Sequence, residues 1–261
     1  MKPDKTIRIG LIGTGIIGSA VAEGFCSCEE ADLHLWISPR TKAKAEALRA
    51  RYPERITVAQ TNQEIADAAD WIILAVLPAQ AAEVLAAIHF TPDQKLISLV
   101  SKLDREEALQ LTGPLAVFED VVPLPFAARR LGPSVIYPPS PETEELLSLI
   151  SDVVPVRTAQ EMAVLRTVTA VMSSYYMLLA DITEWCCREG MEEPAARAYT
   201  TDFFGTLSRM AADYPGPLRE LALEMTPGGL NWQALNELQE DGSLAAWTDT
   251  LAHILTRVRG D

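Results

Sequence analysis

An α/β domain of alternating strands and helices, followed by an all-helical domain, is the architecture this sequence predicts. Three observations carry that expectation. The apolar strand-like run at residues 7–12 leads straight into Gly13-Thr14-Gly15-Ile16-Ile17-Gly18 and then into a helical segment. Short apolar runs go on alternating with helical stretches as far as Val156. Beyond Thr158 strand-like runs stop and only helical patterns remain, so the expected domains are 1–158 and 159–261.

The glycine-rich stretch is what a dinucleotide-binding βα unit requires, because each glycine answers a different steric demand. Gly13 permits the tight turn, Gly15 leaves the backbone N–H groups open to a pyrophosphate, and Gly18 lets the helix lie close on the strand. The anion would then meet the positive end of a helix dipole. This is the Rossmann arrangement, and Gly13, Thr14, Gly15, Ile16, Ile17 and Gly18 are its expected cofactor contacts. A second strand at residues 32–37 ends in Ser38-Pro39-Arg40-Thr41, where the adenosine ribose sits in this fold. An NAD enzyme usually offers Asp or Glu there. Here Ser38, Arg40 and Thr41 offer donors and a positive charge, with Lys42 and Lys44 behind them. That favours the 2′-phosphate of NADP, which a guanidinium can pair bidentately; a solvated basic helix start is the alternative.

The remaining elements follow in order. A helix is expected at 42–51, a strand at 56–59, a helix at 62–68 and a strand at 71–76, apolar throughout like a parallel strand covered on both faces. Leu77-Pro78 ends that strand at the carboxyl edge where ligands bind, which adds Val76 and Pro78 to the cofactor set. Helix 79–88, strand 95–100, helix 105–111 and strands 116–122 and 134–137 continue the pattern. Ser101-Lys102 lies on the same edge, with Lys102 either reaching a ligand or solvated. Helix 142–150 and an edge strand at 153–156, where Pro155 is tolerated, close the domain. Five helices follow: 160–189 with Gly190 as its stop, 194–213 opened by proline, 217–224, 230–240 and 243–259. The first is apolar on most sides through 164–179, which points to a subunit interface. Its window 162–180 contains Arg166, Ser173, Ser174, Tyr175 and Tyr176, so a buried helix is expected rather than a bilayer span.

Composition limits the partners. A chain of 261 residues, 48% hydrophobic, with a formal charge of −14, lacks the basic surface that nucleic acids or anionic membranes need. Cys26-x-Cys28 and Cys186-Cys187 have neither zinc-ligand spacing nor the look of a disulfide framework, so reduced thiols and no metal are expected. No apolar leader precedes the first strand, and a cytoplasmic protein is the expectation. Near the C-terminus, Thr226-Pro227-Gly228-Gly229 opens a helix with unblocked N–H groups. This is either a neutral cradle for a carboxylate or a tight turn with Thr226 as cap. In the first case a Cβ at Gly228 should obstruct it.

The order of these parts resembles the pyrroline-5-carboxylate reductase family along nearly the whole chain: GxGxxG, Ser-x-Arg after the second strand, Val76-x-Pro78, and a helical second half with Pro-Gly-Gly. The resemblance implies an N-terminal domain binding NAD(P)H and a helical domain building an intertwined homodimer. It also implies an imine substrate at the dimer interface, held through its carboxylate by the Pro-Gly-Gly loop. The substrate residues depart from the family pattern. Thr-Ser-Pro-Gly-Gly-Thr-Thr becomes Met225-Thr226-Pro227-Gly228-Gly229-Leu230-Asn231, and Ser-Gly-Ser-Gly-Pro-Ala is replaced near Met172-Ser173-Ser174-Tyr175-Tyr176-Met177. Met-Pro-Asn becomes Val122-Pro123-Leu124, and Lys-Pro becomes Leu77-Pro78. The expectation is an NADPH-dependent reductase of pyrroline-5-carboxylate or a related C=N or C=O compound. Thr226, Gly228, Gly229 and Asn231 would contact the substrate, and Ser173, Ser174 and Tyr175 would bond its nitrogen. The alternative is a catalytically silent NADP-binding sensor or interaction protein.

Overall fold

A computed structural model describes residues 6–39, 41–101, 103 and 105–260. The chain begins β1 (Ile7–Ile12), α1 (Ile16–Cys26), β2 (Leu33–Ile37), α2 (Lys42–Arg51) and β3 (Ile56–Val58). It continues α3 (Asn62–Ala68), β4 (Trp71–Leu74), α4 (Pro78–Ala86), β5 (Lys95–Ser98), α5 (Arg105–Thr112) and β6 (Val117–Val122). A 3-10 turn at Pro125–Arg129 leads to β7 (Pro133–Tyr137), α6 (Pro141–Leu147) and β8 (Asp152–Pro155). Then come α7 (Ala159–Val168), a second 3-10 turn at Thr169–Val171, α8 (Met172–Arg188) and α9 (Glu193–Asp213). Last are α10 (Leu218–Leu223), α11 (Leu230–Glu240) and α12 (Ser243–Arg259).

The strands form one sheet in the order β3-β2-β1-β4-β5-β6-β7-β8. All neighbours are parallel except β6 and β7. From β1 the chain winds first toward β3 and then restarts at β4 on the other side, so the order reverses between β1 and β4. Their carboxyl ends there form the crevice in which doubly wound sheets take ligands. Both faces are covered. Ile9, Leu11, Leu35 and Ile37 pack with Phe25 of α1 on one face, and Ile12, Ile72, Leu74 and Leu96 with Leu85 of α4 on the other. Burial on both faces explains why β4 reads Trp-Ile-Ile-Leu without alternation. β8 lies at the sheet edge, and its Pro155 costs no ladder bond there.

The chain divides into two compact units, the first ending at Arg166 and the second starting at Thr167. In the second unit, α8 packs on α9, with the Tyr175 ring edge-on to Phe204 at 6.4 Å. Gly190, at φ +99°, ends α8 as expected, its N–H donating to the Cys187 carbonyl.

Several expectations change. The single helix expected at 160–189 is broken into α7 and α8 by the 3-10 turn, which coincides with the β-branched run Thr167-Val168-Thr169 and Val171. Helix 142–150 stops at Leu147, and the strand expected to reach Val76 stops at Leu74. The second helix of the C-terminal half starts at Glu193, so Pro194 occupies its second position. The helical run Ala159–Arg188 is, among the described residues, long and apolar enough to cross a membrane. Only 11% of its apolar window is buried, so the burial expected for this helix is not supplied by the chain alone.

Candidate functional site

β1 delivers the chain into its glycine turn at the carboxyl edge, and the three glycines behave differently there. Gly13 has φ +108°, and a Cβ built on it would lie 2.4 Å from the Ala75 carbonyl oxygen. A Cβ on Gly18 would lie 2.2 Å from the Gly13 carbonyl oxygen. The protein itself therefore demands glycine at both positions. Gly15 is different: its φ of −69° suits any residue, and a Cβ there would meet nothing within 4 Å among the described residues. Nothing in the fold explains glycine at position 15, whereas a ligand lying against the backbone would.

The open space is a cavity of about 460 Å³ over the turn. It gathers Gly13, Thr14, Gly15, Ile16, Ile17, Gly18, Thr41 and Val76 from the sequence-predicted set. Ala75, Leu77, Gln80 and Leu99 also line it, and the sequence reading missed them. Pro78 is exposed at the start of α4 and does not line it; the preceding residue, Leu77, does. Ser38 is buried, its N–H bonded to the Leu11 carbonyl, and is absent from the wall. Arg40 and Lys102 lie outside the described residues.

In a chain of formal charge −14, none of the lining residues is charged among the described residues. Three helix N-termini contribute to the wall: Gly15 caps α1, Thr41 caps α2 and Leu77 caps α4. None carries an acidic residue in its first turn or a side-chain capping bond, so their N–H groups and positive dipole ends stay available to an anion. Thr14 adds a donor. It is 3% exposed, and its hydroxyl oxygen is buried without a hydrogen-bond partner among the described residues. A buried hydroxyl left unpaired on a cavity wall is the counterpart of a polar ligand atom. The residues present therefore fit a dinucleotide phosphate.

The second group of predicted residues lies in the helical unit. Ser173 and Ser174 are exposed in the first turn of α8, and Tyr175 is half-buried against Phe204. Ahead of α11, Thr226 is exposed and its carbonyl accepts the Gly229 N–H at 3.0 Å. The cap of α11 is Gly229, with no side-chain capping bond, so Thr226 is not the cap. Gly228 has φ +74°, yet a Cβ there would meet nothing within 4 Å. The expected obstruction is thus replaced by backbone strain, since an L side chain rarely adopts that φ. Asn231 donates to the Met225 sulfur at 3.3 Å, and Leu230 is 85% exposed.

Comparisons with known proteins agree with the fold. A family model described as NADP oxidoreductase, coenzyme F420-dependent, matches residues 8–102, the stretch from β1 past β5. The pyrroline-5-carboxylate reductase of Corynebacterium melassecola is 25% identical over 256 residues, covering 92% of this chain and 93% of its own. The crystal structure of 1-pyrroline-5-carboxylate reductase from Streptococcus pyogenes superposes with a TM-score of 0.83 at 16% identity, over 98% of this chain and 99% of that one. The Plasmodium falciparum pyrroline carboxylate reductase, solved with NADP bound, gives 0.83 at 16% identity over 97% of each chain. At such identities the two structures share the fold with this chain.

Proposed function

We propose that this chain, a member of the pyrroline-5-carboxylate reductase family and an NAD(P)-dependent oxidoreductase, uses NADPH to reduce a small carboxylated imine, working as a cytoplasmic homodimer. The observation that carries the cofactor half is Gly15, a glycine that the fold does not need, beside the unpaired Thr14 hydroxyl. Bound NADPH supplies a hydride. The backbone N–H groups at the start of α1 would hold its pyrophosphate, Thr14 would donate to it, and Arg40 and Thr41 would recognise the 2′-phosphate. The absence of acidic residues from the wall among the described residues supports the phosphate-rich cofactor.

For the substrate half, the Gly228 and Gly229 N–H groups would hold a carboxylate at the start of α11, with Thr226 and Asn231 beside them. Ser173, Ser174 and Tyr175 would bond the imine nitrogen. Hydride addition to a protonated imine needs mainly orientation and a fixed carboxylate, which this set can supply. Leu230 presents an apolar wall where the family loop carries a hydroxyl, and a site that loses hydrogen bonds to one substrate discriminates against it. Turnover of pyrroline-5-carboxylate should therefore be measurable but poor, and a bulkier, less polar cyclic imine should do better.

The test is NADPH oxidation with a panel of cyclic imines, on the wild type and on Leu230→Thr with Asn231→Thr. Restored hydroxyls should raise activity on pyrroline-5-carboxylate. Wild-type turnover of pyrroline-5-carboxylate at the level of an ordinary biosynthetic reductase would overturn the reading of the loop. Reduction of no imine or ketone at all would turn the assignment to a silent NADP-binding protein.

A further inference from the structure

Four register partners, Ile12, Leu74, Ser98 and Asp120, form a straight row across the sheet at the ends of β1, β4 and β5. The first three are apolar or a small hydroxyl, and the fourth is a carboxyl. Along β6, Phe118 shares a hydrophobic cluster with Ala108 of α5, while Val122 packs with Met162 and Leu165 of α7. Asp120 is between them on the same face, so it falls at the seam where the covering of the sheet passes from α5 to α7.

That seam is polar and unevenly satisfied. Oδ1 of Asp120 is enclosed and has no hydrogen-bond partner among the described residues. Ser98 of β5 is the register partner of Asp120, and its Oγ accepts the Val100 N–H. Among the described residues, the charged groups facing Asp120 are Arg166 from α7 and Arg105 from α5. The Arg105 guanidinium is also held elsewhere, bonded to the Phe118 carbonyl and lying over the Phe118 ring. β7 contributes Tyr137, its register partner. Glu119, next along the strand, faces the hydroxyls of Ser140 and Thr143. Arg166 is the last residue of the first unit, and the helix gives way to the 3-10 turn at Thr169. Asp120 therefore faces the helix close to the residue at which the chain leaves the sheet unit.

We propose that Asp120 is a proton-operated latch on α7. With a proton on its carboxyl the seam closes dry around it, and α7 stays packed on the sheet up to the exit at Arg166. Without the proton, the enclosed carboxylate draws water into the seam and loosens α7. Burial dominates over Arg166, Ser98 and Arg105, which only partly offset it, and holds the Asp120 carboxyl up at about 6 against an ordinary value near 3.8. The packed form thus binds the proton more tightly than an unpacked one. Its advantage is full below the ordinary aspartate range and is lost as the pH rises through about 6.

Hydrogen exchange followed by mass spectrometry on the full-length protein tests this without any cofactor or substrate. After correction for intrinsic exchange, wild-type amides of α7 should be about tenfold better protected near pH 5 than near pH 7.5, with α2 unchanged as the control. Asp120→Asn, which cannot ionise, should stay protected at both values; Asp120→Ser takes its place if that variant does not fold. Equal wild-type protection of α7 at the two values would overturn the proposal, and so would a non-ionisable variant that keeps the wild-type pH dependence.

Discussion

The two units of this chain treat their apolar side chains in opposite ways. In the sheet unit Ile9, Leu11, Leu35, Ile72 and Leu96 have no exposed surface at all. In the helical unit, among its described residues, only Thr167, Ala196 and Thr200 are buried. Along α9, Tyr199, Phe203, Leu207 and Met210 follow one another at helical spacing with exposures of 67%, 45%, 48% and 61%. Each hydrophobic side chain left in water forgoes stabilisation of about 1.5 to 3 kcal/mol. The first unit contains its own core, whereas the second has the surface of a core without the covering. The lesson concerns where function can be read: the described lining of the candidate cofactor cavity comes from the sheet unit alone, whereas the residues proposed for the substrate lie in a unit whose apolar faces are exposed.

The largest effect should come from breaking that missing covering. The wild type should run as a homodimer in light scattering at micromolar concentration. Leu207→Glu with Met210→Glu should give monomers of lowered melting temperature, each change costing about 2 kcal/mol or more at a covered interface. A wild type that is a folded monomer would erase the contrast between the units.

Within the sheet unit, Gly18→Ala forces a methyl group onto the Gly13 carbonyl and should destabilise the chain by about 3 kcal/mol in a denaturant melt. Thr14→Val sharpens the picture further at the smallest scale. It keeps the shape and removes the unpaired hydroxyl, so stability should hold or rise slightly while NADPH affinity falls by about 1 kcal/mol. Unchanged affinity would remove Thr14 from the cofactor contacts.

Much of the sheet unit is legible in the sequence because its signals are local. The strand, the glycine turn and the helix of the first βα unit adjoin one another, and β4 announces its double burial by its lack of alternation. What was missed depends on the third dimension. In the sequence Leu77 reads as a strand end and Pro78 as the contact, because Pro marks the turn visibly. The fixed φ of Pro78 starts α4, and it is the residue before it that reaches the cavity wall. Gln80 and Leu99 enter the wall from separate elements brought together only by the sheet order. Asp120 looked like an ordinary strand residue, since no sequence pattern shows a seam between two helices. In the helical unit the lengths of α11 and α12 were legible from their caps, but the 3-10 break was hidden in a run that is apolar and periodic on either side.

The most direct measurement compares NADPH binding to the wild type and to Gly15→Ala by calorimetric titration, alongside their melting temperatures. The account predicts equal melting temperatures, because a methyl group at position 15 meets no atom of the described residues within 4 Å. It also predicts about a hundredfold or greater loss of NADPH affinity in the variant, because that methyl group stands where the pyrophosphate approaches the backbone. A Gly15→Ala protein that binds NADPH as tightly as the wild type would contradict it.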